Sequence, residues 1–294
     1  MPDQTMNPLV NLGDISKPAD TLIKKVSKAV GGVFAPYQII RVAKAEAEAA
    51  IIKAQTEIEI TDLHRRAMHR FIEEEAKRQQ NIENITGKAI PLLADESDAE
   101  LIEDDWVTNF FDKSRIVSDN EMQELWARVL AGEVNSPGTY SKRTVNFVGD
   151  LDKSDAELFA KICGFALQIG NLVPLIFDEQ DHIYNSTGIN FSSLSHLESI
   201  GLIQFNNLQG FARLKLPKRI DVYYYGQPIH LELPKEDGEN ELELGRVLLT
   251  KIGHELAPIC GSAPVGGFMD YVRTRWKDNI PDESNEQSDE PKPK

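Results

Sequence analysis

Residues 118–144, SDNEMQELWARVLAGEVNSPGTYSKRT, carry the densest pattern in the chain. Ser118 followed by Glu121 has the spacing of a capping box. Met122, Leu125, Trp126, Val129 and Leu130 then recur at i, i+3, i+4, i+7 and i+8, one apolar helical face. Gly132 is expected to end this helix, NSPG (135–138) to turn the chain, and TYSKRTVNFVGDL (139–151) to begin another that stops near Gly149. Ser154 and Glu157 repeat the capping-box spacing. Upstream, Trp106, Phe110 and Ile116 supply a matching face. The stretch therefore reads as core of a helical bundle over 91–168 and not as a catalytic centre. Its unexplained polar feature is the group Thr139, Tyr140, Ser141 and Thr144 beside Lys142 and Arg143. A helix N-terminus flanked by two cations makes Lys142 and Arg143 anion-binding candidates.

Towards the N-terminus, residues 1–36 contain SKPADTLIKKVSKAVGGVF (16–34). Ser16 can cap, Pro18 suits the first turn and Asp20 suits the positive helix end. Leu22, Ile23, Val26, Ala29, Val30 and Val33 share one face, with Lys24, Lys25 and Lys28 away from it. This basic amphipathic helix has two readings: docking on the rest of the protein, or adsorption to an anionic membrane through Leu22, Ile23, Val26 and Val30 with Lys24, Lys25 and Lys28. From 37 to 90, no proline and no glycine before Gly87 interrupts a run of strong helix formers. One helix roughly 75 Å long is predicted. Ala47, Ile51, Ala54 and Ile58, at spacings of four, three and four, form a coiled-coil-like seam, which shifts to Ile60, Leu63, Ala67 and Phe71. These first four residues are the candidates for self-association, either between chains or within one chain folded back on itself. His64 and His69, five apart, miss the i, i+4 spacing of a metal pair and read as solvated. Asp104 and Asp105 lack an acid–base companion and read as a helix N-terminal pair.

Over 169–277 the pattern changes to short β-branched and aromatic runs. VPLIFD (173–178), LIQF (202–205), FARLKL (211–216), IDVYYYG (220–226) and PIHLEL (228–233) read as strands, NFSSLSHLESIG (190–201) as a helix ended by Gly201. GRVLLTKIGHELAPICG (245–261) reads as a strand and a helix capped by Thr250. The outline is a winged-helix-like module. The helix 190–200 carries no Lys or Arg, so as a groove reader it lacks the usual guanine and phosphate contacts. Arg213, Lys215, Lys218 and Arg219 form a modest basic wing and are the nucleic-acid candidates. Residues 278–294 are polar, acidic and proline-containing, and are expected to lack fixed structure. The fold class is thus mainly α with a smaller α+β part.

A net charge of −15 disfavours a protein that coats nucleic acid. No apolar run is long enough to span a bilayer, and the N-terminus lacks the basic-then-apolar order of a signal peptide. Cytoplasmic placement is expected, with peripheral contact at the inner membrane as the alternative. Cys163 and Cys260 are far apart, match no metal spacing and read as reduced and buried. His254 in HEL lacks a second zinc-ligating His, and no Walker lysine, GxGxxG turn or nucleophile elbow occurs. No metal, cofactor or catalytic residue is assigned.

ISKPADTLIKKVSKAVGGVFAPYQIIRVAKAEAEAAIIKAQTEIEITDLHRRAMHRFIEEEAKRQQNIENIT (15–86), followed by DDWVTNFFDKSRIVSDNEMQELWARVLAGEVNSPGTYSKRTVNFVGDLDKSDAELF (104–159), resembles the bacterial family known as domain of unknown function 2806. That likeness covers nearly the whole chain up to about residue 262 and implies no assigned activity. A local likeness, carried by Leu125, Trp126, Leu130, Ala131, Leu151, Asp155 and Ala156, is to the helical region of abortive-infection alpha proteins, associated with bacterial defence against phage. The function expected is that of a non-enzymatic interaction protein that self-associates through its long helix and recognises a protein partner. A membrane-acting effector, a winged-helix DNA-binding regulator and an enzyme with a dispersed site stand as alternatives.

Overall fold

The computed structural model describes residues 16–31 and 61–280, and the chain divides after Leu151 into two compact units. The first is helical. Ser16, extended, accepts the Ala19 amide and starts α1 (Lys17–Val30), which Gly31 closes at φ 85. Ala19, Leu22 and Val26 are fully buried, packed on a 3-10 turn at Ala99–Leu101 and on the helix Asp104–Ser114. The face offered above to a membrane is covered by the chain itself. Leu22 and Val26 have no surface to give a lipid, and Ile23 and Val30 are half-buried. Lys25, expected on the polar face, is buried too. It donates to the Glu100 carbonyl (3.1 Å) and lies 3.1 Å from one oxygen of Asp104, while Lys28 lies 3.1 Å from the other. Lys28 first and Lys25 second hold the Asp104 carboxyl below the usual carboxylate range. Lys24 pairs with Asp20 at 2.7 Å.

The predicted unbroken helix over 37–90 is interrupted. Thr61 is extended (φ −60, ψ 152) and its hydroxyl accepts the His64 amide, so α2 begins at Asp62 and runs to Ala89. Ala47, Ile51, Ala54 and Ile58 lie outside the described residues. The C-terminal turns of α2 bury Asn81, Ile82, Ile85, Thr86 and Ala89. Among the described residues the unit has three further α-helices: α3 (Asp104–Ser114), α4 (Asn120–Asn135) and α5 (Lys142–Gly149). The α4 cap is Asp119 and not Ser118: the Asp119 carboxylate accepts the Glu121 and Met122 amides at 3.0 Å. Ser118 instead accepts from Asn81 Nδ2 (3.3 Å), which also donates to the Arg115 carbonyl (2.9 Å). Trp126 is fully buried and meets Phe110 edge-on at 5.0 Å, and Trp106 stacks on Phe110 at 5.2 Å. Ile116, expected in this core, is exposed.

The second unit starts earlier than the sequence suggests. Helix α6 (Lys153–Cys163) belongs to it rather than to the bundle, because α6 packs on the helix 191–199 and on the 3-10 turn Ala257–Ile259. Its N-cap is Asp152, with no capping box through Ser154. Strands β1 (Ala166–Ile169) and β2 (Asn171–Pro174) form a hairpin about Gly170, followed by the one-turn α7 (His182–Asn185) and by α8 (Phe191–Ser199), whose cap Asn190 forms a true capping box with Ser193. Then come β3 (Ile203–Phe205), β4 (Phe211–Leu216), β5 (Arg219–Tyr224), β6 (Gln227–Glu232), β7 (Asn240–Gly245), β8 (Val247–Leu249), α9 (Lys251–Leu256, capped by Thr250) and α10 (Phe268–Arg275). One antiparallel sheet has the order β2-β1-β5-β6, β3 pairs with β8, and β4 with β7. Phe165, Tyr184, Tyr224 and Phe268 form the aromatic core, with centroids 5.0 to 6.4 Å apart.

Two expected outcomes follow from this packing. Trp126→Ala should cost about 3–5 kcal/mol by emptying the space of a fully buried ring, read as a lowered denaturant midpoint for the first unit. Gly245 sits at φ 86, where an added β-carbon would collide with the Ile176 carbonyl. Gly245→Ala should therefore cost at least the roughly 1–3 kcal/mol of a strained left-handed residue, read as a lowered midpoint of the second unit with the first unchanged.

Candidate functional site

The basic candidates are scattered and engaged. The Arg213 guanidinium donates to the Ile169 carbonyl. Lys215 occupies a left-handed position (φ 58) where β4 shifts register. Lys218 lies 3.8 Å from Glu236 and its amide donates to Asp237 (2.6 Å), and Arg219 pairs with Glu232 at 3.2 Å. Lys142 lies 3.8 Å from Asp105, and Arg143 is exposed in the first turn of α5. Within the second unit, Lys218 and Arg219 each stand against a carboxylate, so the four basic residues there do not make a surface of a single sign. The hydroxyl group beside them has structural work: Ser141 caps α5, and Thr144 and Tyr140 are buried. The Tyr140 amide is taken by Glu133 at 2.8 Å. Among the described residues no cluster of three His, Cys, Asp or Glu could hold a metal ion, and no helix is long and apolar enough to cross a membrane.

The second unit instead builds a site where sequence reading placed none. Its walls are the end of α6, the β1–β2 hairpin, the β5–β6 turn and the segment 257–262, around a cavity of about 340 Å³, near the lower end of the range for small-molecule sites. The β5–β6 loop has two residues, Tyr225 (φ 46) and Gly226 (φ 83), both left-handed as a type I′ hairpin requires. Glycine adopts this conformation without strain and tyrosine does not. The Tyr225 hydroxyl donates to Ser262 Oγ at 2.7 Å, and its ring meets Tyr224 edge-on at 4.9 Å, which hold it there. Tyr224 clamps the back of the site. Its hydroxyl accepts the Val265 amide (2.6 Å) and donates to the Gly164 carbonyl (2.8 Å). Gly164 has no room for a side chain, because a β-carbon would stand 2.8 Å from the Ala263 carbonyl.

This clamp brings Cys163, the last residue of α6, to Cys260. The two thiols are neighbours and both are free. Cys163 is buried and lines the cavity, whereas Cys260 is half-buried, contrary to the reading of both as inert core. The Cys260 thiol donates to the Ala257 carbonyl at 3.2 Å. The neighbouring Cys163 thiol and then Ser262 bring the Cys260 thiol down to about 7 against the cost of burial. Burial, followed by the Cys260 contact, pushes the Cys163 thiol well up. Spacing could not reveal the pair, but the tripeptide Ile-Cys-Gly stands at both 162–164 and 259–261. That repeat was the available signal.

The architecture is thus a mainly helical protein with a helical unit followed by an α+β unit that carries a cysteine-lined cavity. The chain belongs to the family described as protein of unknown function (DUF2806), whose profile matches residues 65–273. The match begins inside α2 and ends inside α10, so α1 and the seam residues precede it. No curated protein and no solved structure matches the chain.

Alkylation with iodoacetamide should label Cys260 with a midpoint near pH 7, the rate falling below it as the thiolate is protonated. Cys163 should stay unlabelled until the protein is denatured. Equal labelling of both thiols, with an ordinary midpoint, would contradict the site geometry.

Proposed function

We propose that the protein is a non-enzymatic interaction protein that self-associates through the exposed half of α2. One observation carries this reading. Nearly every residue from Asp62 to Lys77 is exposed, although the segment includes Leu63 (65% exposed), Ala67, Met68 and Phe71 (62%). Leu63, Ala67 and Phe71 follow one another at i+4. Ala67 stands fourteen residues before Asn81, and Phe71 fourteen before Ile85, two heptads in each case. The exposed stripe is therefore the continuation of the face that α2 buries in the bundle. It projects for about 24 Å at 1.5 Å per residue. A second copy of the chain offers the same stripe and meets it by two-fold symmetry. Ion pairs along the same segment, Arg70 with Glu74 and Arg78 with Glu74 and Glu75, suit the flanks of such a seam. The seam assigned to Ala47, Ile51, Ala54 and Ile58 would extend it.

The α+β unit is assigned to partner recognition. The order α8, β3 and β8, with the other strands between, supports a winged-helix-like reading, and the alternation of Lys218 and Arg219 with Glu236 and Glu232 favours a protein surface over a phosphate backbone. Leu125, Trp126, Leu130 and Ala131, which carry much of the abortive-infection likeness, are buried bundle positions. They support shared packing and add no activity.

Sedimentation velocity at micromolar concentration should find the parent chain associated. The double variant Leu63→Lys with Phe71→Lys should be monomeric, with unchanged circular dichroism and melting, because unpaired charge buried in the seam costs several kcal/mol. Ile51→Lys with Ile58→Lys tests the extension of the seam in the same way. A monomeric parent, or a double variant that associates as the parent does, overturns the reading.

A further inference from the structure

We propose that the cavity of the α+β unit is a binding site for an uncharged, planar aromatic ring that carries an N–H donor. The lining sets the charge of the ligand. None of the residues around the cavity is Asp, Glu, Lys, Arg or His, so a phosphate, carboxylate or ammonium brought there would be desolvated with no counter-charge. The lining also sets the shape. Tyr223 and Tyr225, two residues apart at the β5–β6 turn, both line the cavity and are each 44% exposed, which leaves ring area for stacking. Leu172, Ala257 and Pro258 supply apolar wall. The Gln168 amide nitrogen donates to the Gly170 carbonyl, so the group that this wall offers a ligand is the amide oxygen, an acceptor.

The conformation of Tyr225 is an independent observation that points the same way. A two-residue type I′ turn favours Asn or Gly at its first position, and here a tyrosine stands at φ 46. Closing the hairpin does not call for it, since Asn would do so with less strain. What tyrosine adds is a ring at the cavity. That ring is held by the 2.7 Å bond to Ser262, another lining residue, and by edge-on contact with Tyr224. Strained residues fixed by their surroundings in this way cluster at ligand clamps. The site is built wholly from the second unit and does not depend on self-association through α2.

Isothermal titration of the full chain with indole tests the proposal. Benzofuran has the same shape without the N–H, and indole-3-acetate has the same ring with a carboxylate. Indole should bind with a Kd of about 1 mM or tighter, and the other two several-fold more weakly, one for want of the hydrogen bond and the other for its charge. Tyr223→Ala and Tyr225→Asn should each weaken indole binding roughly three- to tenfold without lowering the melting midpoint of the second unit, because Tyr223 is exposed and Asn suits the left-handed position. The Leu63→Lys, Phe71→Lys variant should bind indole as the parent does, so a failure of the self-association reading leaves this result standing. N-acetyltryptophanamide binding as tightly as indole assigns the ring to a side chain of a protein partner, and its exclusion assigns the ring to a free small molecule. The proposal is overturned if indole shows no binding at millimolar concentration, or if benzofuran or indole-3-acetate binds as tightly as indole. It is also overturned if Tyr225→Asn keeps full binding while the second unit melts lower, which would make Tyr225 a residue of the turn alone.

Discussion

The hydroxyl of Tyr224 is the contact on which the α+β unit's site depends. It is buried, accepts from the Val265 amide and donates to the Gly164 carbonyl, so two backbone segments distant in sequence meet at one side chain. Burial raises its pKa and keeps the phenol protonated, as a donor to a carbonyl must be. Without this bridge, the Gly164 carbonyl and the Val265 amide would each lose a partner in a region where unpaired backbone groups are costly. The adjoining Tyr225 is held left-handed by the hairpin and by Ser262. The cavity is therefore shaped in part by a short chain of hydroxyls, from Tyr224 through the turn to Tyr225 and Ser262.

The helical unit solves a different problem. Several polar side chains are enclosed in it, and four of them, Asn81, Gln123, Glu133 and Lys25, find partners, whereas Ser114 Oγ and Trp126 Nε1 have none among the described residues. Asn81 and Gln123 bond to each other at 3.2 Å and to the Arg115 and Val117 carbonyls. Glu133 takes the Gly138 and Tyr140 amides and so fixes the turn before α5. Lys25 reaches the Glu100 carbonyl and the Asp104 carboxylate. Such networks fix which helix faces which, since a slip of one turn would leave buried polar atoms unpaired. This accounting also decides the fate of α1. A helix whose lysine is enclosed by an acidic helix start and whose leucine and valine are fully buried belongs to the bundle.

The sequence by itself determined most helical elements of the first unit, the capping residues Ser16 and Thr250, and the burial of Trp126, because these follow from spacing of 3.6 residues and from chemistry within four residues of a helix end. It also placed most strands of the second unit. It misjudged places where a longer-range partner chose between near-equivalent local options: Asp119 over Ser118 as the α4 cap, the break at Thr61, and α6 as part of the second unit. Strands β1 and β7 were missed for a related reason. ALQI follows a helix without a break in hydrophobicity, and NELELG alternates inward Leu242 and Leu244 with outward glutamates. The cysteine pair was settled only by tertiary structure. The 96 residues between Cys163 and Cys260 put no constraint on their distance. Their meeting required the sheet, the Tyr224 bridge and a glycine at 164 to be assembled together, and the different acidities of two identical thiols arise from burial and hydrogen bonding, which exist only in the folded chain.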